Sequence, residues 1–347
     1  MNYLITGGAG FLGLHLAKYL VKKRNRVVLL DISQINKDEY PKGSIFKKTD
    51  VRVRQAVLES MKGIDVVVHA AAALPLWKEK DIFEINIEGT RNVLDASLKN
   101  KVKHFIYISS TAVYGVPKKH PVYENDPLIG VGAYGKSKIA AEKICEEYRK
   151  RDLTVTIIRP KTFVGTHRLG VFEILFDWIK DGKKIPVIGD GNNRYQLLDV
   201  DDLVAAIYQI SIFNNKEKVN TVFNIGAADF KTVRQDLQEL FNYAKSGSAI
   251  FPTPSFLVKK SLWIFEKLKV SPLYQWVYDT ADKDSFVSIL RLTKTLNWKP
   301  KYSNSMALIK SYKWYEEHYS EIKAKKTGLT HTTGWSQGIL GVFKKLF

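Results

Sequence analysis

The chain has 347 residues, 45% of them hydrophobic, and its 54 Lys and Arg against 35 Asp and Glu give a formal net charge of +19. That length predicts two lobes of unequal size around a well-buried core. The charge would attract nucleic acid, phosphorylated ligands or an anionic surface, but no zinc-ligand spacing, helix-turn-helix signal or RNA-binding aromatic signature accompanies it and the lysines are scattered, so nucleic acid is not an expected partner.

Residues 3–5 already read as a strand, which leaves no room for a signal peptide, and the single Cys145 excludes an intramolecular disulfide. No apolar run approaches the roughly 18–20 residues a spanning helix needs. A cytoplasmic setting is expected. Short β-rich runs then alternate with helical stretches: NYLIT, a helix through 11–23, RVVLLD, DVVVHAAA, a helix near 86–99, HFIYISS, a helix from Tyr134 to Arg149, and TVTIIRP. This alternation predicts an α/β fold, a Rossmann-type doubly wound parallel sheet over residues 1–165. From about Gly165 the rhythm breaks at GDGNN, FPTPS and VSP. A smaller, mixed α/β lobe is expected over 166–320, with VFNIGA at 222–227 returning to the sheet, and a basic amphipathic tail over 321–347.

The first strand runs into its helix through Gly7, Gly10 and Gly13. Such glycines permit a tight turn, close approach of backbone to a pyrophosphate and close helix packing, while the helix N-terminus attracts phosphate. Asp31 ends the second strand, where a carboxylate accepts from both ribose hydroxyls and repels a 2′-phosphate. NAD is the expected cofactor, in preference to NADP. Further on, AYGKSKIAAEK places Tyr134 and Lys138 four residues apart, on one helix face. A lysine beside a phenol lowers its pKa and suits it to move a proton as hydride moves. Ser110, at the end of a strand in ISSTAVYG, could bond the same substrate oxygen. An ordinary exposed Tyr and Lys is the bland alternative for the pair taken alone.

Together TGGAGFLG, Asp31, Asp50-Val51, HAAA at 69–72, NIEGTRNVLDA at 86–96, SSTAVYG, YGKSK and IIRP at 157–160 resemble the extended short-chain dehydrogenase/reductase family, also called NAD-dependent epimerase/dehydratase, over residues 1–318. The resemblance implies that Asp50 and Val51 contact adenine, that Ala70, Ala71 and Ala72 lie along the pyrophosphate and ribose, and that Lys138 meets the nicotinamide ribose. It also puts Phe11, Leu12, Tyr134 and Pro160 on the cofactor. Asn86 either organises the site through a water or main-chain contact or caps a helix. Dehydratases of this family carry an Asp-Glu pair after the hydroxyl residue; here Thr111 and Ala112 stand there. Plain hydride and proton exchange at a secondary alcohol remains, as an epimerase or a net oxidoreductase.

Arg194, ahead of the V-D-D helix start, could meet a diphosphate, with Thr111 and Arg291 as further substrate contacts; one of Asp201 and Asp202 is expected to cap the following helix. A nucleotide sugar is the expected substrate. The apolar FPTPSFLVKKSLWIFEKLKV keeps a sterol-like or other hydrophobic alcohol as an alternative, and a non-catalytic dinucleotide sensor or scaffold is a third. No metal is expected, since His69, His104 and His167 are widely spaced and the chemistry needs none. The resemblance implies a homodimer built from the Tyr134 helix and the helix near 86–99. In the tail, Trp335, Ile339, Leu340, Val342, Phe343, Leu346 and Phe347 share a helical arc of about 160°, with Lys344 and Lys345 opposite, a pattern for docking either on an anionic membrane surface through residues 335–347 or on the protein itself.

Overall fold

Strands covered on both faces must be apolar almost throughout, and the first half of the chain supplies them. The computed structural model describes residues 1–75, 77–167, 171–267, 275–324 and Lys344. Its first half runs β1 (Asn2–Thr6), α1 (Phe11–Lys22), β2 (Arg26–Asp31), β3 (Ile45–Lys48), α2 (Arg54–Ser60), β4 (Val66–His69), α3 (Glu79–Phe83), a π-helical turn (Glu84–Gly89), α4 (Thr90–Lys99), β5 (His104–Ile108), a 3-10 turn (Thr111–Tyr114), α5 (Gly132–Arg149) and β6 (Val155–Pro160). The rest comprises β7 (Phe163–Val164), α6 (Val171–Lys180), β8 (Ile185–Ile188), β9 (Leu198–Asp199), α7 (Val200–Ile212), α8 (Lys216–Val219) and β10 (Val222–Ile225). After these come α9 (Val233–Ala244), β11 (Ile250–Thr253), α10 (Ser255–Lys267), α11 (Gln275–Thr280), α12 (Leu290–Leu296), α13 (Asn304–Glu317) and α14 (Tyr319–Ala324).

Seven strands form one parallel sheet in the order β10-β6-β5-β4-β1-β2-β3. The order reverses between β1 and β4, where Thr6 pairs with His69. At such a switch point the crevice at the carboxyl ends of the strands opens for a ligand. One face of the sheet packs Leu14, Leu20, Leu203 and Ile207 from α1 and α7; the other packs Val57, Val93, Leu94, Ala141 and Ile144 from α2, α4 and α5. A separate cluster joins Phe176 and Ile179 of α6 to Leu240 of α9 and Tyr312 and Tyr315 of α13.

The structure differs from expectation at β3 and at the start of α7. The edge strand β3 is only half-buried, and its IFKK sequence carries lysines of the kind that protect sheet edges, so periodicity does not announce it. The cap of α7 is Asp199, whose side chain accepts from Asp201 N at 2.8 Å. Asp202 instead receives the amides of Lys301 and Tyr302, and Asp201 pairs with Lys310 at 2.6 Å.

The amphipathic arc of residues 335–347 lies outside the described residues apart from Lys344. That lysine reaches Asp177 Oδ2 on α6 at 2.5 Å and Asp181 Oδ2 just beyond it at 2.6 Å, so the chain itself already supplies its counter-charges. Peripheral membrane attachment through the tail is thereby not supported. Among the described residues no helix is long and apolar enough to cross a membrane.

Candidate active site

The turn after β1 is built as a cradle. A Cβ on Gly13 would stand 2.5 Å from both Gly7 O and Gly8 O, so only glycine lets α1 start this close to the strand end. Gly10 occupies the cap position without a side-chain bond, with Phe11 and Leu12 buried behind it. The first amides of a helix have no partner inside it, and no side-chain bond from the cap residue meets those of α1. Phe11 stacks on Phe163 at 5.7 Å, which fixes the first turn of α1. Tyr40, which the motif series does not include, holds the loop from below by donating to Gly8 O at 2.9 Å.

Across the switch point Ala70 N donates to Thr6 O and Ala71 N to Thr6 Oγ1, with Ala72 next in the chain. Asp31 ends β2 with its carboxylate accepting from Ala9 N at 2.9 Å and Ser33 N at 2.8 Å. Burial pushes this carboxyl up against the pull of those amides. Asp50 is taken by Arg52 at 2.7 Å, which holds its carboxyl down, and Val51 packs into the gap left by Gly89. Glycine cradle, uncapped helix start and ribose-height carboxylate together fit a dinucleotide. Asp31→Ala is expected to weaken NAD binding about tenfold, the loss of roughly 1.4 kcal/mol, and to narrow the preference over NADP. Titration with both cofactors checks this; a wild-type preference for NADP contradicts it.

Tyr134 and Lys138 lie on the first turns of α5, with the lysine buried. Lys138 Nζ donates to Ile108 O at 2.9 Å and sits 4.9 Å from the Tyr107 ring centre and 5.8 Å from that of Tyr134. Burial pushes its ammonium down to about 8, against the opposing charge of Glu142. Gly135, between the two, would place a Cβ 3.0 Å from Gly130 Cα and 3.1 Å from Ala112 O. This close approach seats the start of α5 on the turn that follows Ser110. Ser110 caps that turn by accepting from Ala112 N at 3.1 Å, and its own proton has no hydrogen-bond acceptor among the described residues. Beside it, Thr111 Oγ1 is buried with no hydrogen-bond partner among the described residues.

Asn86 caps no helix. It lies within the π-helical turn, accepts from Ala73 N at 2.8 Å and donates to Ala73 O and to Ser137 Oγ at 3.0 Å. Ser137 in turn donates to Tyr134 O, so Asn86 ties the cofactor-side loop to the helix bearing Tyr134. π-helical turns recur at functional sites because they re-aim one side chain. His69 extends the tie: Thr90 donates to Asn86 O, so it accepts from His69 Nε2, which leaves Nδ1 to accept from Thr6 Oγ1 at 2.6 Å.

Burial holds His69 and His104 each down to about 3. The unfolded chain protonates both near pH 6.5, so between pH 6.5 and 3 unfolding takes up two protons. Stability is therefore complete above pH 6.5 and falls below it by up to about 2.7 kcal/mol per pH unit. Urea midpoints from pH 7.5 to 5 check this; a flat profile over that range contradicts it.

A buried ion pair braces the same region. Glu142 on α5 accepts from Ser109 Oγ at 2.5 Å and from Arg159 Nη2 at 2.5 Å and Nε at 2.9 Å. Arg159 also donates to Tyr114 Oη and Glu124 O. Pro160 then ends β6 beside Ile225. Neither the ion pair nor the Asn86 tie is evident from spacing, because each depends on how one element packs against another.

Of the expected substrate residues, Arg194 is exposed, with its guanidinium over the adjacent Phe230 and Phe286 rings at 4.7 and 4.8 Å. Arg291 is not brought to the others: it donates to Val222 O at the start of β10 and to Asn125 Oδ1, and pairs with Glu124 at 3.7 Å.

Comparison with known proteins agrees with this geometry. The uncharacterized protein y4nG of Sinorhizobium fredii is 36% identical over 345 residues, covering 98% of this chain and 84% of its own. A UDP-glucose 4-epimerase of Lactobacillus helveticus is 28% identical, covering 92% and 98%. Among solved structures, a UDP-glucuronic acid 4-epimerase of Bacillus cereus in complex with NAD superposes with a TM-score of 0.76 at 23% identity, covering 92% of this chain and all of that one. The model of one family matches residues 3–226, from β1 through the strand that closes the sheet, and so takes in the cradle, Asp31, Ser110, Tyr134 and Lys138. The chain belongs to the NAD dependent epimerase/dehydratase family.

Proposed function

We propose that this protein is an NAD-dependent epimerase that oxidises one secondary alcohol of a nucleotide sugar and reduces the resulting ketone from the other face. The observation that carries the reading is the group at the carboxyl end of β5: a phenol beside a buried lysine, a serine with its proton to spare and a buried threonine hydroxyl without a partner. Tyr134 takes the alcohol proton and returns it. Lys138 favours the phenolate by its charge, Ser110 donates to the reacting oxygen, and Thr111 is available to a neighbouring hydroxyl. NAD, when bound, supplies the hydride acceptor and donor. Elimination of water needs a further acid and base, and Thr111 and Ala112 provide neither. Arg194, seated over two rings yet open to solvent, suits a diphosphate.

The hydrophobic-alcohol alternative is not favoured. Among the described residues α10 leaves Phe256, Leu257 and Ile264 exposed and encloses no apolar pocket around them. A thermal-shift screen of the NAD-loaded protein against UDP-, GDP- and dTDP-sugars, sterols and long-chain alcohols tests the reading. At least one nucleotide sugar is expected to raise Tm; stabilisation by the apolar alcohols alone overturns it. The reading includes a homodimer in which α4 and α5 of two copies form a four-helix bundle. Light scattering at micromolar concentration is expected to return twice the chain mass, and a monomer contradicts this part.

A further inference from the structure

Of the described lysines two are buried, Lys138 and Lys161, each 2% exposed. They are built alike. Lys138 reaches over the Tyr107 ring to a neutral oxygen at the end of β5. Lys161, the residue after β6, lies 4.8 Å from the Tyr195 ring centre and donates to Ser285 Oγ at 2.7 Å. Its backbone is fixed, since Lys161 N donates to Ile225 O across the sheet. The strand ends are neighbours, Ile108 of β5 pairing with Ile158 of β6, so Lys161 stands one strand over from Ser110 at the same carboxyl edge. Tyr195 and Ser285 pair with each other and belong to the second lobe. Lys161 therefore occupies the seam between the sheet and that lobe.

What sets Lys161 apart is its lack of a counter-charge. Arg159, two residues earlier and as deeply placed, is neutralised by Glu142, and the half-buried Lys259, Lys310 and Lys344 each pair with aspartate. Among the described residues no carboxylate pairs with Lys161, and burial alone pushes its ammonium down to about 7. An ammonium has three donors and no acceptor, and the protein uses one of them for a hydrogen bond. Ser285, having accepted that bond, keeps its own proton to donate. A buried cation without an anion is strongly disfavoured, and its presence at the ligand-facing edge of the sheet is a mark of function more than of stability.

We propose that Lys161 and Ser285 form a subsite for an oxyanion carried by the substrate, a carboxylate on the sugar ring or a phosphate of the nucleotide. The proposal rests on the nucleotide-sugar reading above for its substrate class. It makes Lys161 a specificity-determining residue, with the arriving anion as the missing partner of the buried cation.

The test compares NAD-loaded wild type with Lys161→Met in binding UDP, UDP-glucose, UDP-glucuronate, free glucuronate and inorganic pyrophosphate. The variant is expected to lose about tenfold or more in affinity for the recognised anion, to keep its NAD affinity, and to melt a few °C higher without ligand because an unpaired buried cation is gone. A loss confined to UDP-glucuronate and glucuronate assigns the subsite to a ring carboxylate. A loss common to UDP, UDP-glucose, UDP-glucuronate and pyrophosphate assigns it to phosphate. A mere staple between sheet and lobe predicts a lower Tm and no selective loss. If no nucleotide sugar binds wild type, the substrate reading fails, and the glucuronate and pyrophosphate arms still decide the subsite. A change below threefold for every anion bound, or no binding of any anion by wild type, overturns the proposal.

Discussion

Tyr134→Phe is expected to lower turnover by about 10²- to 10⁴-fold while NAD affinity changes by less than about threefold. The substitution removes one oxygen and keeps the ring, so the start of α5, seated by Gly135 on Ala112 O, has no reason to move. Lys138 retains its bond to Ile108 O and its place above Tyr107. The proton at the reacting oxygen then has no acceptor. Lys138→Met should differ in kind, weakening both turnover and NAD binding, because that lysine is expected to act on the phenol and on the cofactor ribose together. Steady-state rates alongside cofactor titration separate the two variants. Unchanged turnover in Tyr134→Phe contradicts the assignment.

The largest stability effect is expected from Glu142→Ala, about 3–5 kcal/mol. The carboxylate takes both Arg159 Nε and Nη2 and the Ser109 hydroxyl, with each charged side chain almost wholly enclosed. Its removal strands the guanidinium in the interior with only the Tyr114 hydroxyl and Glu124 O for partners. Adding Arg159→Met to Glu142→Ala should recover much of the loss, because the stranded charge goes too and an apolar chain fills part of its place. Since Glu142 lies one turn beyond Lys138 and Ser109 adjoins Ser110, activity should fall more steeply than the folded fraction does. Urea unfolding of both variants is the check; a loss below about 1 kcal/mol in the single variant means the ion pair braces little.

The features legible in the sequence were those set by neighbours along the chain. The glycines at 7, 10 and 13, the Asp31 strand end and the Tyr134–Lys138 spacing are local, and so are the apolar runs that became β1, β2, β4, β5 and β6. Features that depend on a meeting of distant segments were not legible. For Asn86 the sequence leaves a main-chain contact and a cap equally open, and only the π-helical turn that aims it at Ala73 and Ser137 decides between them. Asp199, Asp201 and Asp202 are equivalent by composition, and the approach of Lys301, Tyr302 and Lys310 separates them: Lys310 pairs with the cap Asp199 and with Asp201, while Asp202 accepts two amides. Lys161 reads as one more lysine in a basic chain. Its lack of a counter-charge emerges only when β6, Tyr195 and Ser285 close around it. Arg291 illustrates the converse: a basic residue at a plausible point in the chain is turned to Glu124 and Asn125 by the packing of α12 on β10.

The central claim is that one carbon of a nucleotide sugar is oxidised and re-reduced within a single active site. The direct measurement uses the nucleotide sugar selected by the thermal-shift screen, labelled with deuterium on its ring carbons in turn, incubated with the NAD-loaded protein and followed by NMR with absorbance at 340 nm. The account predicts a second epimer approaching equilibrium, the label retained at the inverted carbon, no steady rise at 340 nm, and loss of all of this in Tyr134→Phe. Exchange of the label at the inverted carbon with solvent, stoichiometric accumulation of reduced cofactor, or a product lacking the elements of water would contradict it.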